Sequence, residues 1–342
     1  MKGFVSSRLH PLANLGLLVV LLVATFSLSM LLIAIASNLF FGVGLMELGN
    51  VTQRPADYPN GWGVSMLSQG LLLLGAFGGA AVAFIVLTGN RMLDYVAPRR
   101  PVAGQWLLLA AGLIVLSLPV MSALIAWNAS WDLPEWMLLK EEQAKNTLKV
   151  LTNFSSPLRL VVGLLVMAVV PAVSEELFFR GVLQRNLVQW AGRHTGIWLA
   201  AAVFSAAHFQ FQGFVPRFVL GLVLGYLYEW SGNILVPMAA HFAQNAFQLG
   251  LLYNAQHQWT ASDFDPDSTE SLPWYLVMAS LVICTAILWL LYRQMQQPGR
   301  HELPTKLRTL GGTGVAVRAP GPDVPAAART LSHDGVDTTR AE

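Results

Sequence analysis

The sequence predicts an all-α protein: a polytopic transmembrane helical bundle of about eight spans, followed by a disordered C-terminal tail. Hydrophobic residues make up 54% of the 342 positions, and charged residues only 12%. Apolar stretches of about 20 residues, the length that crosses a bilayer as a helix, recur along the chain. Because lipid offers no hydrogen-bond partner to the backbone, runs of this length indicate helices rather than open strands.

Eight apolar segments are the predicted spans, and the fifth and sixth are the shortest. The first follows Lys2 and Arg8 and is longer than the apolar core of about 7–15 residues in a signal peptide, so we interpret it as an uncleaved span. The predicted spans are residues 14–40, 64–87, 105–126, 157–180, 195–211, 214–229, 234–253 and 273–292.

The spans divide the chain into four regions. Residues 1–150 hold N-terminal transmembrane helices and a surface loop, and residues 151–255 hold the helices with polar motifs. Residues 256–292 hold the last loop and span. Residues 293–342 are rich in Pro, Gly, Ala, Thr and Arg and contain no aromatic residue. This tail cannot bury enough apolar surface to fold, so we predict that it is disordered.

The placement of Lys and Arg favours a cytoplasmic location for both termini of an integral membrane protein. With the N-terminus inside, the loop after the seventh span lies outside and carries acids but no Lys or Arg. Three lysines in the 127–156 segment also fall outside and weaken the asymmetry. A net charge of +2 without a basic stripe argues against nucleic acid as a partner.

The 127–156 segment has two interpretations. Its apolar residues Leu138, Ala144, Leu148 and Leu151 lie on one side of a helix. It is therefore either an amphipathic helix at the membrane surface or an ordinary solvated helix. Cys284, the single cysteine, lies in the last span, so no disulfide framework is possible.

Polar residues inside the predicted spans repeat one spacing. Pairs that are four residues apart share a helix face, and facing helices can bring such pairs together in a bundle core. The fourth span offers two acids and an arginine, the fifth an imidazole, and the seventh an imidazole and an amide. The residues are Glu175, Glu176 and Arg180, then Phe204 and His208, then His241 and Asn245.

Each pair also has a purely structural interpretation. Glu176 and Arg180 can form a buried ion pair, and His208 can bond a nearby carbonyl as a packing residue. His241 and Asn245 can serve as interhelical hydrogen-bonding groups. Glu175 remains without a partner in these interpretations, although a carboxylate near a helix centre costs roughly 2.5–3.5 kcal/mol. The joint pattern on three helices therefore favours a functional site.

This set of side chains suits hydrolysis of an amide bond. A carboxylate and an imidazole can hold and deprotonate a water, and a second imidazole and an amide can stabilise an oxyanion. Glu, His and His could alternatively hold zinc, although the spacing lacks a dense metal-ligand motif. Acids and histidines in a membrane also occur in proton-coupled transporters, but no inverted repeat is visible.

Three motifs resemble the signatures of the CAAX prenyl protease and bacteriocin-processing family, the type II CAAX endopeptidase or glutamate intramembrane protease group. They are Glu175-Glu176-x-x-x-Arg180, Phe204-x-x-x-His208 and His241-x-x-x-Asn245. Gly181 and the run at 221–228 are similar as well. The resemblance covers about residues 155–250, within the 151–255 region, which it makes the catalytic core.

The resemblance implies specific roles. Glu175 would be the general base that activates water, assisted by His208, while His241 and Asn245 would bind the oxyanion. Glu176 and Arg180 would be supporting residues. The family's chemistry implies no metal cofactor, and a membrane or membrane-associated peptide or protein as substrate. Because the family also includes bacteriocin-immunity and other binding proteins, a non-catalytic membrane partner is the alternative function.

The predicted boundaries create one geometric difficulty. If the fourth span ends near Arg180, Glu175 lies only about 8 Å from the cytoplasmic face, at 1.5 Å per residue. If the fifth span begins at Thr195 on that face, His208 lies about 20 Å from it. A break at Pro171 or a shift of the boundaries is needed to bring the two side chains together.

Overall fold

The computed structural model describes residues 9–98, 102–258 and 270–295. Helices are the regular structure in these ranges, which confirms the predicted all-α fold class. The predicted disordered tail lies outside the described residues, except for residues 293–295, which end the last helix.

The described residues form twelve helices, numbered here in chain order. A short 3₁₀ turn, Pro55–Asp57, lies between the second and third. The helices are α1 Pro11–Phe41, α2 Leu45–Gln53, α3 Gly61–Leu87, α4 Met92–Val96, α5 Gly104–Leu116, α6 Leu118–Ala129, α7 Glu135–Leu151, α8 Pro157–Ala191, α9 Arg193–Ala206, α10 Phe214–Ser231, α11 Leu235–His257 and α12 Trp274–Met295.

Four of these helices, α1, α3, α8 and α12, are long and apolar enough to cross a membrane. The pair α5 and α6, bent by 43°, would be a fifth span. Each of the eight segments predicted as spans contains a helix, but residues 207–211 of the fifth are not helical. Helix α9, with 14 residues, is shorter than the roughly 20 residues a span needs. The total of eight spans therefore stays a prediction.

Helix α12 shows how the protein meets the bilayer. Many of its apolar side chains are exposed, as contact with lipid requires. Exposed aromatic residues lie near both ends, Trp274 and Tyr275 at one and Trp289 and Tyr292 at the other. Aromatic rings are enriched at the two membrane–water interfaces, so this pattern is typical of a membrane-embedded protein.

Helix α8 is longer than predicted. It continues to Ala191, whereas the predicted span ended at residue 180. Pro171 does not break it, because a π-helical turn over Leu165–Val169 lies just before the proline. A second π-helical turn covers Leu177–Gln184. Such turns shift the backbone hydrogen bonds locally, which lets a membrane helix accommodate a proline.

The turn at Gly192 reverses the chain between α8 and α9. Gly192 has φ 85° and ψ 168°, a conformation that is essentially restricted to glycine. Counted back from Ala191 at 1.5 Å per residue, Glu175 lies roughly 24 Å along α8. Counted forward from Arg193, His208 lies roughly 22 Å away. The two residues therefore reach similar depths, and the longer α8 removes the geometric difficulty.

Helix α10 approaches α8 and α9 closely because glycines face them. The small-xxx-small step of Gly221 and Gly225 predicts such packing, and the structure confirms it. A Cβ atom at Gly221 would lie 3.1 Å from Ala201 Cα, and one at Gly225 would lie 2.8 Å from Gln184 Oε1. As a result, polar side chains of α8 can reach the backbone of α10.

Gly196, near the start of α9, offers a test of the α8–α9 packing. A Cβ atom there would lie 2.4 Å from the backbone nitrogen of Val188 in α8. We expect Gly196→Ala to destabilise the protein, since overpacking typically costs about 1–3 kcal/mol. The measurement is the melting temperature of the purified variant in detergent.

Gly250→Ala in α11 is the matched control, because nothing lies within 4 Å of the added atom. We expect it to melt at or slightly above the wild-type temperature, since alanine favours a helix more than glycine does. Equal melting temperatures for the two variants would contradict the close approach of α8 and α9.

Candidate active site

The two adjacent acids lie in α8, on the helical turn between its two π-helical segments. Glu175 and Glu176 are both buried, with 6% and 0% of their surfaces exposed. Neighbouring residues on a helix point about 100° apart, so the two carboxylates face different surroundings. Their partners differ accordingly.

Glu176 is the centre of a buried hydrogen-bonding network. Its Oε1 accepts a hydrogen bond from Arg180 Nη1 at 2.7 Å and lies 2.8 Å from His241 Nδ1. The structure thus brings together the pair Glu176 and Arg180 as an ion pair and adds an imidazole from α11. This one carboxylate joins the first and third motifs of the sequence.

Arg180 is fully enclosed, with 1% of its surface exposed. Besides Glu176, it donates from Nη2 to the carbonyl oxygen of Gly221 at 3.3 Å. Its guanidinium carbon lies 4.4 Å from the centre of the Phe204 ring, a cation–π distance. A buried charge is tolerated when it is paired and hydrogen-bonded, and Arg180 meets both conditions.

Glu175 has a different environment. Glu175 takes no part in the contacts of Glu176 Oε1 with Arg180 and His241. Its Oε2 is buried and, like Oε2 of Glu176, has no hydrogen-bond partner among the described residues. Its charge interacts with His241 first, then with Glu176, Arg180 and Arg217. Glu175 therefore keeps hydrogen-bonding capacity for a reactant in strongly polar surroundings.

His208 lies in the loop between α9 and α10. The sequence predicts it within the fifth span, and this placement is wrong. Helix α9 ends at Ala206, and the residue after His208, Phe209, has a left-handed φ of 51°. The ring lies 2.8 Å from the Phe204 carbonyl oxygen through Nδ1. Within the described ranges, no direct hydrogen bond joins His208 to Glu175, so any cooperation between them needs an intervening molecule.

Phe204 connects the histidines. Its side chain is 1% exposed, and its ring centre lies 5.0 Å from the His208 ring and 6.0 Å from the His241 ring. It also packs edge-on against Phe179 of α8 at 5.2 Å. Phe204 is thus a buried aromatic residue that packs between the two histidines and Phe179.

Asn245 lies one helical turn beyond His241 on α11. Its side chain is half-buried, and the described residues provide it with no hydrogen bond. The structure therefore brings Glu176, Arg180 and His241 into one hydrogen-bonding network. Among the described residues, Glu175 is adjacent to this network without a hydrogen bond to it, and Asn245 lies on the same face of α11 as His241.

Three polar residues near the site were not predicted. Gln184 of α8 donates to the carbonyl oxygen of Gly225 at 3.0 Å, one turn beyond the contact of Arg180 with Gly221. Arg217 of α10 interacts electrostatically with Glu175 and Glu141. Glu141 lies three residues from both Leu138 and Ala144, and this acid on the apolar side of α7 was the available signal.

The zinc alternative can be compared with the geometry. Among residues 9–98, 102–258 and 270–295, no group of three or more His, Cys, Asp or Glu side chains is arranged to hold a metal ion. His241 Nδ1 faces Glu176, whose Oε1 also accepts from Arg180. His241 Nδ1 and Glu176 Oε1 therefore already have hydrogen-bond partners within the protein.

Residues 157–247 match the family described as type II CAAX prenyl endopeptidase Rce1-like. This range contains every candidate residue predicted from the motifs, and the match confirms the resemblance. The chain is also 40% identical over 79 residues to the uncharacterized protein YpbD of Bacillus subtilis (strain 168). That match covers 22% of this chain and 38% of the relative. No solved structure matches the chain.

The different environments of the two acids predict different effects on stability. Glu176→Ala would leave Arg180 buried without its partner, and breaking a buried pair in this way typically costs about 3–5 kcal/mol. Glu175→Ala leaves the Glu176–Arg180 ion pair in place, so we expect a much smaller loss. Thermal unfolding of both variants in the same detergent measures the difference. If Glu175→Ala were less stable than Glu176→Ala, the anchoring role of Glu176 would be contradicted.

Proposed function

We propose that this chain is an intramembrane endopeptidase that hydrolyses a peptide bond with a water activated by Glu175 and His208. The observation that carries the proposal is the division of labour between the adjacent acids. Oε1 of Glu176 is committed to Arg180 and His241, whereas Glu175 takes part in neither of these contacts. The buried Oε2 atoms of both acids have no hydrogen-bond partner among the described residues. The match to the prenyl endopeptidase family supports the same chemistry.

Glu175 is the general base in this proposal. A carboxylate can accept a proton from a water in hydrogen-bonding reach, and such catalysis contributes about 10²–10⁴ in rate. The water oxygen then bonds to the carbonyl carbon of the substrate. The proton taken by Glu175 passes to the nitrogen of the leaving amine as the carbon–nitrogen bond breaks.

His208 assists at the same water. Its Nδ1 faces the Phe204 carbonyl oxygen, which can only accept, so Nδ1 carries the proton. In the neutral ring, Nε2 is then an acceptor. A water between Glu175 and His208 would have two acceptors, which orients its lone pair toward the substrate and matches the absence of a direct bond between them.

His241 and Asn245 serve the oxyanion. Nδ1 of His241 faces the Glu176 carboxylate, which leaves Nε2 to face a substrate. When both ring nitrogens carry protons, Nε2 donates to the developing negative oxygen, and Glu176 balances the positive charge of the ring. The amide of Asn245, one turn along α11, provides the second donor.

The proposed substrate is a membrane or membrane-associated peptide or protein, because the reacting groups lie in an apolar bundle. The chain would cross the membrane several times, with both termini in the cytoplasm, as the distribution of Lys and Arg predicts. A non-catalytic binding protein has no requirement for a second buried acid, Glu175, outside the Glu176–Arg180 ion pair, so the enzyme is the better-supported function.

Glu175→Gln tests the base. Glutamine preserves the shape and removes the proton acceptor, so we expect hydrolysis to fall by about 10²–10⁴ with normal membrane insertion. Comparative proteomics of membranes carrying wild-type or variant protein identifies the natural substrate as the species that stays uncleaved. The purified proteins are then compared on that substrate.

Glu142→Gln is the control, because Glu142 is an exposed acid on α7 that carries the same charge change. It should cleave like wild type. Unchanged cleavage by Glu175→Gln would exclude the mechanism. If Glu175→Gln, expressed at the wild-type level, fully restored the phenotype of cells that lack the protein, the non-catalytic binding function would be favoured.

Metal removal tests the alternative chemistry. If Glu175 and His208 activate water without a metal, protein treated with a chelator and then freed of it should retain its activity. Metal analysis of the treated sample is the accompanying measurement. Activity that returns only with zinc, at one tightly bound ion per chain, would assign the protein to the metalloproteases.

A further inference from the structure

The loop that carries His208, residues 207–213, is held at both of its ends. Ser205 Oγ donates to the carbonyl oxygen of Phe214 at 2.6 Å, which closes the loop across its base. Asn128 of α6, fully buried, accepts from the Val215 backbone N–H at 2.9 Å. These bonds fix where α9 ends and α10 begins, but they leave the middle of the loop to other contacts.

Glu141 of α7 holds the middle of this loop. Its Oε1 accepts the backbone N–H groups of both Phe211 and Gln212, the second at 3.0 Å. The side chain is 6% exposed, although most of α7 is accessible. The Trp136 ring packs edge-on against Phe211 at 5.5 Å on the same side. A carboxylate that accepts two backbone N–H groups is a strong, geometrically defined support.

Helix α7 is itself anchored where it ends. Trp62 of α3 donates from its indole nitrogen to the Leu151 carbonyl oxygen at 3.1 Å. Gln256 of α11 donates to the Thr152 carbonyl oxygen at 2.8 Å. Glu141 is therefore fixed relative to α11, the helix that carries His241.

Arg217 extends the connection toward the acids. It bonds the backbone oxygen of Gln210 at 3.2 Å and also the side-chain oxygen of that residue. Its charge interacts with both Glu141 and Glu175. The loop is thus bonded both to the carboxylate of Glu141 and to an arginine whose charge interacts with the proposed base.

We propose that Glu141 is a positioning residue that holds the 207–213 loop so that His208 stays at the depth of Glu175. The catalytic consequence of this role rests on the proposed function. Glu141 lies outside the 157–247 family match, so the support comes from the N-terminal part of the chain.

Hydrogen–deuterium exchange of the full-length protein in detergent tests the holding role without any substrate. In Glu141→Ala we expect exchange at Phe211 and Gln212 to accelerate by about tenfold or more, since each loses a charge-assisted hydrogen bond. Glu141→Gln retains one acceptor oxygen, so its exchange rates at these two residues should lie between those of wild type and Glu141→Ala. Glu142→Ala, the exposed neighbour, should match wild type.

Cleavage of the substrate identified by proteomics tests the consequence. We expect Glu141→Ala to lower kcat by about 100-fold with little change in KM, the effect of a small misplacement of a catalytic group. Glu141→Gln should recover much of this loss. A purely structural role would instead lower the melting temperature and the folded fraction, with kcat per folded molecule unchanged.

Two results would overturn the proposal: equal loop exchange in Glu141→Ala and Glu142→Ala, or a loosened loop with normal kcat. A failure of the proposed function is recognised separately, because wild-type protein would then hydrolyse nothing. In that case, the rate at which diethyl pyrocarbonate modifies His208 tests whether Glu141 positions this ring. An unchanged rate in Glu141→Ala would overturn the positioning of this ring, and a changed rate would support it.

Discussion

The interaction on which the site depends is the bond network of one carboxylate oxygen, Glu176 Oε1. It takes a hydrogen bond from Arg180 within α8 and faces the ring of His241 on α11. Because Arg180 also reaches the backbone of α10, three helices converge on a single buried anion. Removing this anion would leave a buried cation uncompensated, which is among the costlier defects a folded protein can carry.

The second constraint is the register of α8 against α9. The 35-residue α8 contains π-helical turns on both sides of its acids, and the Gly192 turn sends α9 back along it. Without this length, Glu175 and His208 would lie at different depths. The close approach of α10, which Gly221 and Gly225 permit, then completes the enclosure of Arg180.

Much of this arrangement could be predicted from the sequence, because apolar runs and i to i+4 polar pairs are local patterns. The helical fold and the Glu176–Arg180 pair follow from them. The end of α8 could not be predicted, since residues 181–191 continue the helix by packing on α9 and α10. The exit of His208 from α9 and the role of Glu141 depend on hydrogen bonds between segments about 70 residues apart, which no local pattern contains.

Asn128 and Glu141 bond the backbone of residues 211–215, and Trp62 bonds the end of α7, which carries Glu141. These bonds have a consequence for how the protein divides into modules. The segment that matches the family, residues 157–247, is not a self-sufficient unit here, because its 207–213 loop is secured by residues that precede it in the chain. A chimera that transplanted only residues 157–247 would carry the motif residues and lose the hydrogen bonds that Asn128 and Glu141 make to the backbone of residues 211–215.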